Sequence, residues 1–362
     1  MGILNRLSSR ILIGSLAGVT IAAIPIQKVK AEQKLLIPSV QNEKSDVASS
    51  YPLSVKMEQL VKDIQREMVS GLEQFEGPDG KKFELDSWKR KEGGYGVSAV
   101  LQDGKVFEKA GVNFSVISSP APKPMLQHMR SRKPMNLDDN KKYNMFVAGV
   151  SMVMHPVNPH APTFHANYRY FELREDGSEE SVASWFGGGT DLTPSYLYPE
   201  DAMHFHKVIK EACDKHDESY YPKFKKWCDE YFFLTHRGEA RGVGGIFFDD
   251  LDTDPKKTYH FVYDCAHALV HQYLPIIAKR KDMPYTKAEK EWQQLRRGRY
   301  VEFNLVIDRG TKFGLVTPGV RIESVLMSLP LTARWQYMHS PILGSKEDEL
   351  LQVLRKPREW VK

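Results

Sequence analysis

The stretch YGVSAVLQDGKVFEKAGVNFSVI, residues 95–117, decides how the rest of the chain is read. Its apolar positions recur every second residue: Val97 to Leu101, an Asp103-Gly104 turn, Lys105 to Glu108 and Val112 to Ile117 read as a hairpin and a following strand. Upstream the period is that of a helix. Met57, Leu60, Val61, Ile64, Met68, Leu72 and Phe75 recur at three and four, with Ser54 as the cap and Gly77-Pro78 as the stop. Downstream, strands are expected at 144–154, 163–174, 181–186, 244–249, 300–307 and 313–317, and helices at 201–235, 257–280 and 286–297. The strands come first as consecutive runs with short turns, without βαβα alternation. That predicts an α+β fold with a large antiparallel β-sheet. Neither an internal repeat nor a linker divides 55–362, so one domain is expected there.

The 362 residues are 41% hydrophobic, 11% aromatic and 27% charged, which is an ordinary globular composition and excludes collagen-like and mostly disordered classes. Lys+Arg 51 against Asp+Glu 46 gives +5, and most of that excess sits in residues 1–34. The near-neutral body argues against a nucleic-acid partner, which needs Lys and Arg massed on one face. Cys213, Cys228 and Cys265 form no CxxC and are expected to be core thiols. Residues 1–40 read as a targeting presequence: Arg6 and Arg10 stand among serines without an acid before Glu32, and an apolar sorting segment, ILIGSLAGVTIAAIPI, fills 11–26. A secretory signal or a simple membrane anchor is the competing reading. At 16 residues the segment is short for a spanning helix, which needs about 20. Residues 41–54 read as a linker.

The chemistry gathers in three places. In SMVMHPVNPHAPTFHANYR, 151–169, strand alternation puts His165, Asn167 and Arg169 on one face and Phe164, Ala166, Tyr168 and Tyr170 on the other. The polar row is either a site or the solvated face of an edge strand. In WFGGGTDLTP, 185–194, glycines permit close approach of a ligand beside Asp191, or simply make a turn. KKWCDEYFFLTHRGEARGVGGIFFDDLD, 225–252, is the densest. There Arg237 and Arg241 stand four apart, repelling unless an anion or Glu239 sits between them.

The third stretch resembles the diagnostic segment of oxygen-dependent coproporphyrinogen-III oxidases of the eukaryotic, mitochondrial type. The likeness continues through VFEKAGVNFSV (106–116), HANYRYFE (165–172), FGGGTDLTP (186–194), RRGRYVEFNLVIDRGTKFGL (296–315) and RIESVLMSLPLTARWQYMHSP (321–341). The resemblance implies a catalytic domain at 55–362 that oxidatively decarboxylates two propionates of coproporphyrinogen III to vinyls, giving protoporphyrinogen IX in haem biosynthesis. O2 is the acceptor and co-substrate. It implies substrate contacts at Ser151, Asn167, Tyr168, Arg169 and Gly319-Val320-Arg321, and a proton donor at His165. Asp191, Arg237 and Arg241 fall on positions implicated in pyrrole and carboxylate handling. On physical grounds Asp191 is expected to face the pyrrole N–H groups, a contact that a dry pocket strengthens. The resemblance also implies a large antiparallel β-sheet flanked by helices on both faces, and a homodimer held by stretches near 100–109 and 300–336. The pattern of residues 1–40 itself predicts a mitochondrial, intermembrane-space location, with inner-membrane association through the apolar segment.

No cofactor and no metal are expected, because an electron-rich reduced pyrrole can itself react with oxygen. The competing enzyme class is a metal enzyme using His155, His165, His206 and His236. The chain shows no HExxH or two-His-one-carboxylate spacing, and His204 and His206 must point apart on a helix. A tetrapyrrole carrier is the non-enzyme alternative; it would need the arginines but neither His165 nor Asp191.

Overall fold

A computed structural model describes residues 51–362 apart from 133–136 and 317–319. The expected presequence, 1–40, and most of the expected linker therefore lie outside the described residues. The first helix, α1 (Leu53–Glu76), starts after Pro52, two residues inside the span read as linker. Ser54 does not cap it: it lies inside the helix, and its hydroxyl accepts from Arg174 at 3.3 Å. At the other end the Glu76 carboxylate accepts from the backbone N–H groups of Lys105, Val106 and Phe107. Those bonds anchor the Asp103-Gly104 hairpin turn, where Asp103 takes a left-handed φ of 55°.

Seven strands, β1 (Glu84–Lys89), β2 (Tyr95–Gln102), β3 (Phe107–Pro120), β4 (Tyr143–Pro156), β5 (Thr163–Glu175), β6 (Ser181–Thr193) and β9 (Gly245–Leu251), form one antiparallel sheet in chain order. The segments 105–108 and 112–117 belong to a single strand, β3. β6 runs straight through Gly187–Gly189, so the glycines are strand residues and not a turn. Between β6 and β9 lie α3 (Pro199–Asp214), α4 (Tyr220–Tyr231) and a small ribbon of β7 (Phe233–Leu234) and β8 (Glu239–Ala240). The expected helix at 201–235 is thus two helices and the start of a ribbon.

One face of the sheet is apolar. Ala99, Phe114, Val150, Phe164, Ala166, Tyr168 and Tyr170 are buried there. α1 supplies Gln65, which donates to Val97 O and Val112 O. α3 and α5 (Pro255–Arg280) complete the cover, with Phe164 stacked on Tyr273 at 4.7 Å and edge-on to Phe205. Helices also flank the opposite face at its two ends. α2 (Lys123–Arg132) packs Met129 against Leu173, and α6 (Lys287–Glu302) sets Tyr300 against Val153 and Met327. The middle of that face carries the polar row.

Two expected strands are absent. Residues 300–302 end α6, Phe303–Ile307 form a π-helical turn, and α7 (Arg309–Val316) replaces the strand at 313–317. The apolar run there misleads because only some of it is buried: Tyr300, Phe303 and Asn304 turn inward at helical spacing while Leu305 and Val306 are exposed. α8 (Ile322–Leu326) and α9 (Lys346–Arg355) finish the chain.

Candidate active site

β5 is an interior strand, between β4 and β6, so its polar row is not the outer face of an edge. Register extends the row across the sheet: Asn113 on β3, Ser151 on β4, Asn167 on β5 and Gly189 on β6 lie side by side. One row along, Gly149 and Gly187 flank Arg169; one row the other way, His165 faces Asp191. Small residues make a low floor with Arg169 lying across it. A Cβ on Gly187 would stand 2.6 Å from both the Arg169 guanidinium and Asp249 Oδ1, so glycine there is what lets the pair close.

At one end of the floor three side chains form a chain into the interior. His165 Nδ1 lies 2.8 Å from Asp191 Oδ1, and Arg241 grips the same carboxylate with two bonds, Nε to Oδ2 at 2.9 Å and a terminal NH2 to Oδ1 at 2.7 Å. Burial works to raise the Asp191 pKa, but the charge of Arg241 and the His165 hydrogen bond outweigh it and hold the carboxyl below its ordinary range. An ionised carboxylate only accepts, so the imidazole carries its proton on Nδ1 and leaves Nε2 free to exchange one. The Arg241 guanidinium sits over Phe232 at 3.9 Å, Phe303 at 4.7 Å and Tyr300 at 4.8 Å. Burial would lower its pKa, yet Asp191 more than compensates and raises it. The side chains of Asp191 and Arg241 are each 1% exposed, against 23% for His165. Asp191 therefore does not face the open floor as expected; His165 does.

The arginines do not form one cluster. Because α4 stops at Tyr231, residues 237 and 241 are not on one helical face. Arg237 makes a two-bonded pair with Glu302 at 2.6 and 2.8 Å, which His236 and Trp335 also join. Burial opposes ionisation of Glu302, but the Arg237, His236 and Trp335 bonds prevail and push its pKa down to about 2. Glu239 pairs with Arg296 at 2.7 Å instead of bridging Arg237 and Arg241. Arg169, 36% exposed, donates to Asn167 and Asp249.

Among the other expected contacts, Ser151 is half-buried on the floor, whereas the Tyr168 side chain lies on the apolar face against Phe248. Tyr168 is no floor residue, because its even position along β5 turns it away from His165 and Asn167. Arg321 reaches across to Asp86 on β1, and Val320 is half-buried beside it. Gly319 lies outside the described residues.

The four histidines of the metal reading are occupied separately. His155 Nε2 donates to Ser328 O at 2.9 Å and His206 Nε2 to Val243 O at 3.0 Å, while their Nδ1 atoms accept from Thr163 and Tyr221. His236 joins Glu302, and His165 joins Asp191. Among the described residues no three His, Cys, Asp or Glu side chains come together as a metal-holding group. His204 and His206 do point apart, His204 reaching His271 O.

This geometry can be set beside known proteins. The family model for coproporphyrinogen III oxidase matches residues 56–360. The chain is 58% identical over 312 residues to the human protein named oxygen-dependent coproporphyrinogen-III oxidase, mitochondrial, covering 86% of this chain and 68% of that one. It is 54% identical over 307 residues to the Drosophila melanogaster oxygen-dependent coproporphyrinogen-III oxidase, covering 84% and 78%. A chloroplastic form from Glycine max is 51% identical over 322 residues, covering 87% and 82%. The chain belongs to the coproporphyrinogen III oxidase family. Mammalian members are named mitochondrial. Two residues that the sequence alone does not single out, Asp249 and Glu302, hold the arginines in place. Both are carboxylates brought to Arg169 and Arg237 from 80 and 65 residues away, beyond any periodic signal.

Proposed function

We propose that this chain converts coproporphyrinogen III to protoporphyrinogen IX on the floor between His165 and Arg169. For each of two propionates the side chain loses CO2 and the equivalent of a hydride, becoming a vinyl group. The two electrons pass to O2, which with protons becomes H2O2. The family match across 56–360 carries this reading. The floor supports it: small residues leave room for a flat macrocycle, and Arg169 keeps N–H groups beyond those given to Asn167 and Asp249 for a carboxylate.

The residues then divide the work. Asp191 and Arg241 fix the His165 tautomer and ring orientation, and His165 Nε2 moves a proton at the substrate. Arg169 and Arg321 take propionates, with Ser151, Asn167 and the Gly319–Arg321 backbone placing the ring. Arg237 holds Glu302 and steadies the π-helical turn behind the site. The electron-rich pyrrole supplies the electrons, and neither a metal nor an organic cofactor takes part. Two copies form a homodimer, and residues 1–40 direct the chain to the mitochondrial intermembrane space with inner-membrane association. A reporter carrying residues 1–40 should reach that compartment in fractionated cells; a matrix or secretory location would overturn the address.

Activity is tested by adding coproporphyrinogen III to the purified protein with and without O2, each with and without chelator, and reading product fluorescence after oxidation. Turnover that needs O2 and survives chelator is expected. Anaerobic turnover, or loss with chelator and recovery with one metal, would overturn the cofactor-free reading.

A further inference from the structure

Phe232 is the residue that closes α4. Its backbone N–H donates to Cys228 O at 3.0 Å, and its own carbonyl accepts from the Arg241 N–H at 3.0 Å. That fold of the backbone brings the ring at 232 to both partners of the buried Asp191 carboxylate. The Arg241 guanidinium lies over it, 3.9 Å from the ring centroid. The His165 imidazole meets it at a steep angle, with centroids 6.1 Å apart and planes at 75°. Tyr300 and Phe303 also face Arg241, but of these three rings it is Phe232 that meets His165 as well. Tyr231, Phe247 and Phe303 pack round the Phe232 ring and hold it in place.

The bond from His165 Nδ1 to Asp191 fixes one atom of the imidazole. It leaves the plane of the ring loosely set, because the last torsion of a histidine has a broad minimum. A neighbouring ring that is itself held rigidly supplies the missing wall. The same ring matters to the bond's strength, since a hydrogen bond to a carboxylate weakens when water competes for it. We propose that Phe232 is a positioning residue of the reaction and acts through His165: its ring sets the imidazole plane and keeps water from the His165–Asp191 bond, so that Nε2 stays aimed at the floor. The inference rests on the proposed function, and it adds an apolar residue to a chain of polar and charged ones.

Phe232→Leu keeps the place apolar and removes the ring. In this variant kcat for coproporphyrinogen III should fall about tenfold or more with KM nearly unchanged, since a misdirected proton-transfer group costs rate and not affinity. The proton on His165 Nδ1, held against a carboxylate away from water, should give a far-downfield proton NMR resonance in the unaltered protein that is missing from His165→Ala. Phe232→Leu should lose that resonance through exchange with water. Phe224→Leu is the comparison, because Phe224 is wholly buried on the same helix, against Tyr220, Phe248 and Phe261 on the apolar side of the sheet. It should lower the thermal midpoint yet keep kcat and the resonance. If Phe232→Leu does not fold, Phe232→Met, whose straight chain fills gaps adaptably, is read in the same way. An unchanged kcat or an unchanged resonance in the Phe232 variant, or an equal fall of kcat in Phe224→Leu, would overturn the role. So would the absence of the resonance from the unaltered protein. If the unaltered protein shows no turnover, the activity reading fails, and the resonance alone still decides whether Phe232 shields the His165–Asp191 bond.

Discussion

At the scale of single residues, exposure separates the arginines that the sequence grouped together. Arg169 is partly exposed with its N–H groups near the floor, so Arg169→Ala should raise KM about ten- to a hundredfold, the loss expected when a charge-assisted partner of a carboxylate goes. Its thermal midpoint should change little. Arg241 is buried against Asp191, and removing one partner of a buried pair costs about 3–5 kcal/mol. Arg241→Ala should therefore lose stability before it loses affinity, and calorimetry on both variants checks the contrast. The sequence could name these arginines but not rank them. Rank depends on Asp249, Glu302 and Asp191, which reach them through the fold.

Elements were legible where one period ruled and one face was buried. α1 and β5 are where the apolar spacing put them, since most inward positions on each are apolar, Gln65 and Glu76 on α1 and Thr163 and Glu172 on β5 being the polar exceptions. The region 300–316 was misread because it breaks that rule: its apolar residues are not all inside. Leu305, Val306 and Val316 are exposed at 41, 56 and 78%, and Tyr337, Ile342 and Leu343 further on at 94, 82 and 87%. Apolar side chains at such density on an outer surface need a partner, and the proposed homodimer provides one. Val306→Glu with Leu305→Glu should convert a dimer to a monomer in light scattering; a dimer of unchanged affinity would place the interface elsewhere.

At the scale of the whole molecule, acid should unfold the protein through its buried histidines. Burial lowers the pKa values of His155 and His206 to about 3, from 6.5. Between those values the unfolded chain binds protons that the native protein refuses. Stability is therefore full above pH 6.5 and falls below it, by roughly 1.4 kcal/mol per pH unit for each group. Urea midpoints should drop between pH 7 and pH 5, and His206→Gln, though weaker at pH 7, should show a shallower slope; an equal slope would contradict the assignment. In the proposed mechanism the interior meets the substrate through the partly exposed His165 imidazole, with Asp191 and Arg241 behind it. A double-mutant cycle of Asp191→Asn and His165→Ala, read as kcat and KM for coproporphyrinogen III, tests this most directly. Each single variant should lower kcat by about 10²–10⁴ with KM nearly unchanged, and the double variant should lose little more than the worse single one. Losses that multiply, or an Asp191→Asn variant that raises KM while keeping kcat, would show that Asp191 acts on the substrate itself.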